Sequence, residues 1–126
     1  QLEIQDRVKF PGYVNDEDLP IVYKLAQLSV YPSYYEGFCL PPLESIACGT
    51  ICVAANTSSI PEVTGGHAVL VSPTVEGIAY GIKKVINLAT EEKQQIIQDG
   101  IDFVKLYSWE KAAAEVYSIF DSIAVP

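Results

Sequence analysis

The chain has 126 residues, 49% of them hydrophobic and 19% charged, with a net charge of −8 at neutral pH. That length holds one domain with a packed core. The acidic balance argues against nucleic acid and against anionic lipid as partners, since both select basic patches. Three cysteines (Cys39, Cys48, Cys52) without a C-x-x-C pair, and one histidine, His67, make a zinc site an unfavourable reading. An odd cysteine count in apolar surroundings points to a reducing compartment. No apolar run is long enough to cross a membrane, and no signal peptide is recognisable. Methionine is absent throughout, including position 1. An excised or processed piece is therefore expected, with loss of the initiator alone as the weaker alternative.

In chain order, Arg7 to Phe10 reads as a short strand ending at Pro11-Gly12. Asn15 to Asp18 is an acidic opening to a helix that runs to about Gln27, with Asp16 as N-cap and Pro20 tolerated in the first turn. Its apolar stripe is Leu19, Val22, Tyr23 and Ala26. Leu28 to Tyr31 has the apolar character of a buried parallel strand. The stretch from Tyr34 to Gly49 then forms a strand–loop–helix junction. Glu36 lies in the loop and Glu44 one turn into the helix, with seven residues between them. Gly37 lets backbone approach a ligand closely. Pro41-Pro42 suit a first helical turn, so the helix should start near Leu40 or Pro41. The amides of Phe38, Cys39 and Leu40 should then point out of its N-terminus and make an anion site suited to phosphate. Two flanking carboxylates suit hydroxyl groups. Phosphate beside hydroxyl acceptors describes a nucleotide sugar better than a bare nucleotide.

Thr50 to Ala55 reads as a second buried strand, followed by the polar loop Asn56 to Ser59 at its carboxyl end. Ligands gather at that edge of open α/β sheets, so Asn56, Thr57 and Ser58 either line the site or form an ordinary turn. A short helical turn, Ile60 to Thr64, breaks at Gly65-Gly66. His67 reads as a surface loop residue ahead of a phosphate contact. Ala68 to Val71 is a strand, and Ser72-Pro73-Thr74 caps a helix to about Ala89 with Val75, Ile78, Ala79, Ile82, Val85 and Ile86 inward. Thr90-Glu91-Glu92 starts a helix with Ile96, Ile97, Ile101 and Val104 inward. Ser108-Trp109-Glu110 caps a last one that uses Ala112, Val116, Ile119 and Phe120. Trp109 and the other aromatic residues of these helices read most simply as core, with some of the last helix's apolar face expected to be exposed. The alternation predicts an α/β fold with a mainly parallel four-strand sheet and flanking helices.

Pro32-Ser33, Glu36-Gly37-Phe38 and Glu44, followed by Ala47-Cys48-Gly49, resemble the E-x7-E signature of the retaining family 4 glycosyltransferases, which have two Rossmann-like domains (the GT-B fold). Lys9 to Val14, Ser59 to Val63 and Leu70 to Pro73 extend the resemblance over nearly the whole chain. The resemblance implies a partial, Rossmann-like doubly wound donor domain spanning residues 1–126, lacking the acceptor domain and its own first strands and helices. It implies that Glu36 contacts the transferred sugar, Glu44 the ribose, and Gly37, Phe38, Cys39 and Leu40 the sugar and diphosphate. Gly12 and Val14 would lie near the base. Three positions depart from the family pattern: Cys39 for a second glycine, Thr50 for a proline after Gly49, and Gly65-Gly66-His67 for glycine–aspartate.

The implied activity is transfer of a hexose from a UDP- or GDP-sugar to an acceptor with retention, without cofactor or metal, the isolated piece being inactive alone. Asp16-Glu17-Asp18 also fits the Asp-x-Asp manganese pattern of another glycosyltransferase fold, but acids favour helix N-termini for dipole reasons alone. The alternative function is a nucleotide-sugar binding module without turnover, or the donor subunit of a two-chain transferase. A third reading makes both glutamates merely solvated or capping. The expected location is the cytoplasm, with the full-length protein peripheral to a membrane as a further option. In the doubly wound strand order the strand at Leu28 to Tyr31 would keep a bare edge. Arg7 to Phe10 would slide onto that edge or lie outside the sheet, or two copies would pair there as a homodimer.

Overall fold

A computed structural model describes residues 3–124. Three parallel strands, β1 (Ser29–Tyr31), β2 (Cys52–Ala55) and β3 (Val69–Val71), form one sheet in the order β1-β2-β3. Val30 pairs with Val53, and Ala54 with Leu70. The connections are α2 (Leu40–Ala47) between β1 and β2, and α3 (Ile60–Thr64) between β2 and β3. Helix α1 (Leu19–Leu25) precedes the sheet, and α4 (Val75–Ile86), α5 (Thr90–Val104) and α6 (Trp109–Ile123) follow it.

The sheet is covered on both faces, which is why its strands carry no polar alternation. Side chains of β2 point alternately to the two sides. Cys52 and Ala54 pack with Ile46 of α2 and Ile60 of α3, while Val53 packs with Val71 and with Val85 of α4. Helix α4 comes close because it presents Gly81 to the sheet. A Cβ there would stand 2.6 Å from Val53 Cγ1 and 2.9 Å from Val71 Cγ1.

Several expectations are corrected. Among the described residues the sheet has three strands, not four. Arg7 to Phe10 is not a strand: Gln5–Arg7 is a turn of 3-10 helix, and residues 8–14 run outside the sheet. A strand exists only through its ladder, and the second edge of β1 pairs with nothing among the described residues. Of the placements foreseen for this segment within one chain, lying outside the sheet is the one observed. Helix α1 begins at Leu19 and is not capped by Asp16. Pro20 has no N–H to give the Asp16 carbonyl, so the regular ladder starts from Asp18, whose carbonyl accepts from Val22 N at 3.1 Å. Val22 and Ala26 of its expected stripe face outward, as do Val75 and Ile86 of α4.

Helix α6 leaves more of its stripe uncovered than expected. Ser108 caps it as expected, accepting from Lys111 N at 3.0 Å. Yet Trp109, Val116, Ile119 and Phe120 are all exposed, Trp109 to 78%. An amphipathic stripe states what a helix could bury, not that a surface is at hand to receive it. The described residues offer none.

Candidate functional site

The loops that follow β1 and β2 leave the sheet at the same edge, because parallel neighbours end on one side. They are stitched together by hydroxyl groups. Thr57 Oγ1 donates to Ser33 O at 3.0 Å, and Ser58 Oγ accepts from Glu36 N at 2.9 Å. Ser59 Oγ donates to Glu36 O at 2.9 Å, with a longer contact of 3.3 Å to Phe38 O. Ser59 therefore straddles the Gly37 peptide. Thr57 and Ser58, expected either to line the site or to form an ordinary turn, direct their hydroxyls at the loop backbone. That support is a role sequence reasoning missed. Hydroxyl-rich Thr57-Ser58-Ser59 was the only available signal.

Helix α2 starts at Leu40, with Pro41 in its first turn, as the prolines required. Its N-cap residue is Cys39, at φ +73°. That left-handed conformation is what glycine supplies without a Cβ penalty. Among the described residues no internal acceptor receives the amides of Gly37, Phe38, Cys39 or Leu40. The Glu36 amide, in contrast, is occupied by Ser58. The unpaired amides are thus those of residues 37–40, at the positive end of an eight-residue helix.

Both glutamates are half-buried. Glu44 Oε2 accepts from the Tyr23 hydroxyl at 3.0 Å, and Tyr23 accepts from the Tyr31 hydroxyl at 3.1 Å. Burial raises the pKa of both phenols, and the Glu44 charge and hydrogen bond also push that of Tyr23 upward. The pair stays neutral and able to donate. Beside Glu36, the Cys39 thiol is raised by burial and by the Glu36 charge. Cys48 is raised by burial, then by Glu44, against an opposing effect of Lys24. None of the three thiols is an activated thiolate, and buried Cys52 is pushed up to about 12 by desolvation.

Phe38 meets Tyr107 edge-on, with ring centroids 6.2 Å apart. Tyr107 in turn meets Phe103 and donates to Val63 O at 3.1 Å. His67 is a half-buried loop residue stacked on Phe103, with ring centroids 4.5 Å apart. Gly12 and Val14 lie in the segment before α1, and no hydrogen bond ties residues 9–14 to the Glu36 loop. Among the described residues no three His, Cys, Asp or Glu side chains are grouped to hold a metal ion. No helix among them is long and apolar enough to cross a membrane.

Residues 1–103 match the family model described as Glycosyl transferases group 1. Over 115 residues the chain is 36% identical to O-antigen chain mannosyltransferase B of Escherichia coli, covering 90% of this chain and 30% of that protein. It is 30% identical over 125 residues to MMP alpha-(1->4)-mannosyltransferase of Mycolicibacterium hassiacum, covering 96% of this chain and 30% of that one. Among solved structures, sucrose-phosphate synthase of Thermosynechococcus elongatus superposes with a TM-score of 0.80 at 30% identity, over 95% of this chain and 31% of that chain. The chain spans less than a third of the length of these relatives.

Proposed function

The chain belongs to the group 1 glycosyl transferases, and on that premise we propose that it is the donor-binding part of a retaining, family 4 hexosyltransferase. The observation that supports this most directly is the set of unpaired amides at 37–40, which lie between Glu36 and Glu44 in the chain. The amides receive the diphosphate, Glu36 accepts hydrogen bonds from sugar hydroxyls, and Glu44 accepts from the ribose. The relatives named mannosyltransferases favour a mannosyl donor.

In this reading the bond from the anomeric carbon to the diphosphate oxygen breaks as the acceptor oxygen bonds to the same face. The acceptor's proton passes to the departing diphosphate, so no protein nucleophile is required. The unpaired amides stabilise the charge that gathers on that diphosphate, a preorganised electrostatic contribution. The acceptor site belongs to the rest of a longer protein.

Calorimetry of the chain with GDP-mannose and UDP-glucose tests the reading. Hydrogen bonds to a charged group are worth about 1.5–3 kcal/mol. Glu36→Ala and Glu44→Ala should each weaken binding of the recognised donor by roughly ten- to a hundredfold. Unchanged affinity in both variants would sink the proposal.

A further inference from the structure

Glu44 does not hold its own position. A glutamate has three side-chain torsions and loses rotamer freedom when it is fixed. Here the fixing is done by a second and a third residue from different elements. Tyr31, at the end of β1, donates to Tyr23 on α1, and Tyr23 donates to Glu44 Oε2 on α2. The direction is forced, because an ionised carboxylate only accepts and each phenol has one proton. Accepting from Tyr31 makes the Tyr23 hydroxyl a better donor. The remaining lone pairs of the carboxylate, on Oε1 and on the free side of Oε2, stay available for an incoming pair of hydroxyls.

Helix α1 buries no residue fully, so packing alone would hold the Tyr23 ring weakly. A second network holds it from the main chain. Thr50 Oγ1 donates to Tyr23 O at 2.6 Å, and Ser45 Oγ bonds Thr50 O at 3.2 Å and Ser29 Oγ at 2.6 Å. Ser45 and Thr50 are buried, where such bonds are costly to break. Proline at position 50 would supply no hydroxyl. The same tyrosine is thus anchored at its carbonyl by α2's far end and aimed at its hydroxyl toward α2's first turns.

We infer that Tyr23 is a positioning residue that presets the Glu44 carboxylate for a vicinal diol, and that Tyr31 supports it. The inference deepens the function proposed above and rests on Glu44 facing the ribose. The ligand class is a ribonucleoside diphosphate, distinguished from its 2′,3′-dideoxy counterpart through this chain of hydroxyls.

Calorimetry of the full chain and of Tyr23→Phe and Tyr31→Phe, with GDP and UDP and their 2′,3′-dideoxy forms, tests it. The wild-type chain should prefer one ribonucleotide over its dideoxy form. Tyr23→Phe should bind that ribonucleotide about three- to tenfold more weakly while keeping its dideoxy affinity, so that the ratio collapses. Tyr31→Phe should shift the ratio in the same direction by less. The dideoxy arm guards against misfolding, since a merely structural defect lowers both affinities together, and that result would overturn the inference. Full discrimination retained in Tyr23→Phe would overturn it too, leaving the role of Glu44 intact. A wild-type chain indifferent to the ribose hydroxyls would overturn the reading of Glu44 and the inference with it.

Discussion

Replacing Ser59 by alanine isolates the support beneath the unpaired amides. The Ser59 hydroxyl has one proton, given mainly to Glu36 O at 2.9 Å and shared weakly with Phe38 O at 3.3 Å. A neutral hydrogen bond contributes about 1 kcal/mol net. Glu36 is half-buried and Phe38 exposed, so water can reach the carbonyls left behind and no burial penalty adds to that figure. Loosening by about 1 kcal/mol corresponds to roughly fivefold in an equilibrium constant. Two readouts should move by about that factor: donor affinity by calorimetry, and exchange of the Glu36 amide, which Ser58 protects in the intact loop. Ser122→Ala is the control, since it removes a comparable hydroxyl-to-carbonyl bond of 2.7 Å on exposed α6. If Ser59→Ala matched Ser122→Ala in both readouts, the loop would owe nothing to this hydroxyl and the reasoning would fail.

The Glu36 charge raises the Cys39 thiol, so Glu36→Gln should lower its pKa and speed its alkylation by iodoacetamide at pH 8; an unchanged rate would place the two groups apart. Cys52 is raised from 9.0 to about 12, so its contribution to stability is complete below pH 9 and is lost as pH climbs toward 12. Urea midpoints should therefore fall in that alkaline range, and fall less in Cys52→Ala relative to its own neutral value. Gly100→Ala offers helix propensity worth roughly 0.5–1 kcal/mol, but its Cβ would stand 2.7 Å from Ile46 Cγ2 in the core. Overpacking costs about 1–3 kcal/mol, so a lower urea midpoint is expected, and a higher one would contradict the α2–α5 packing. Trp109, the single tryptophan, is exposed on α6; iodide should quench its fluorescence nearly as well before unfolding as after.

Several local signals were read correctly. Pro41 placed the start of α2 at Leu40, and Thr74 and Ser108 announced their helices by the bonds they make three residues on. The apolar runs at β1 and β2 identified parallel strands, but only β2 is fully buried, while β1, with one edge unpaired among the described residues, is half-buried throughout. Glu36 and Glu44 were legible only as positions, eight apart on one junction.

Contacts across the chain were not legible. Tyr23 looked like one apolar residue of a stripe, and its bond to Glu44 spans 21 positions. Ser59 meets Glu36 across 23. Residue type limits what a side chain can donate or accept, but its partner is chosen by which elements the sheet brings together. The same holds for Arg7 to Phe10 and for α6: propensity and amphipathicity describe a segment's demand for a ladder or a cover. Only the tertiary arrangement decides whether that demand is met, because the hydrogen bonds and the buried area that would meet it belong to another part of the fold.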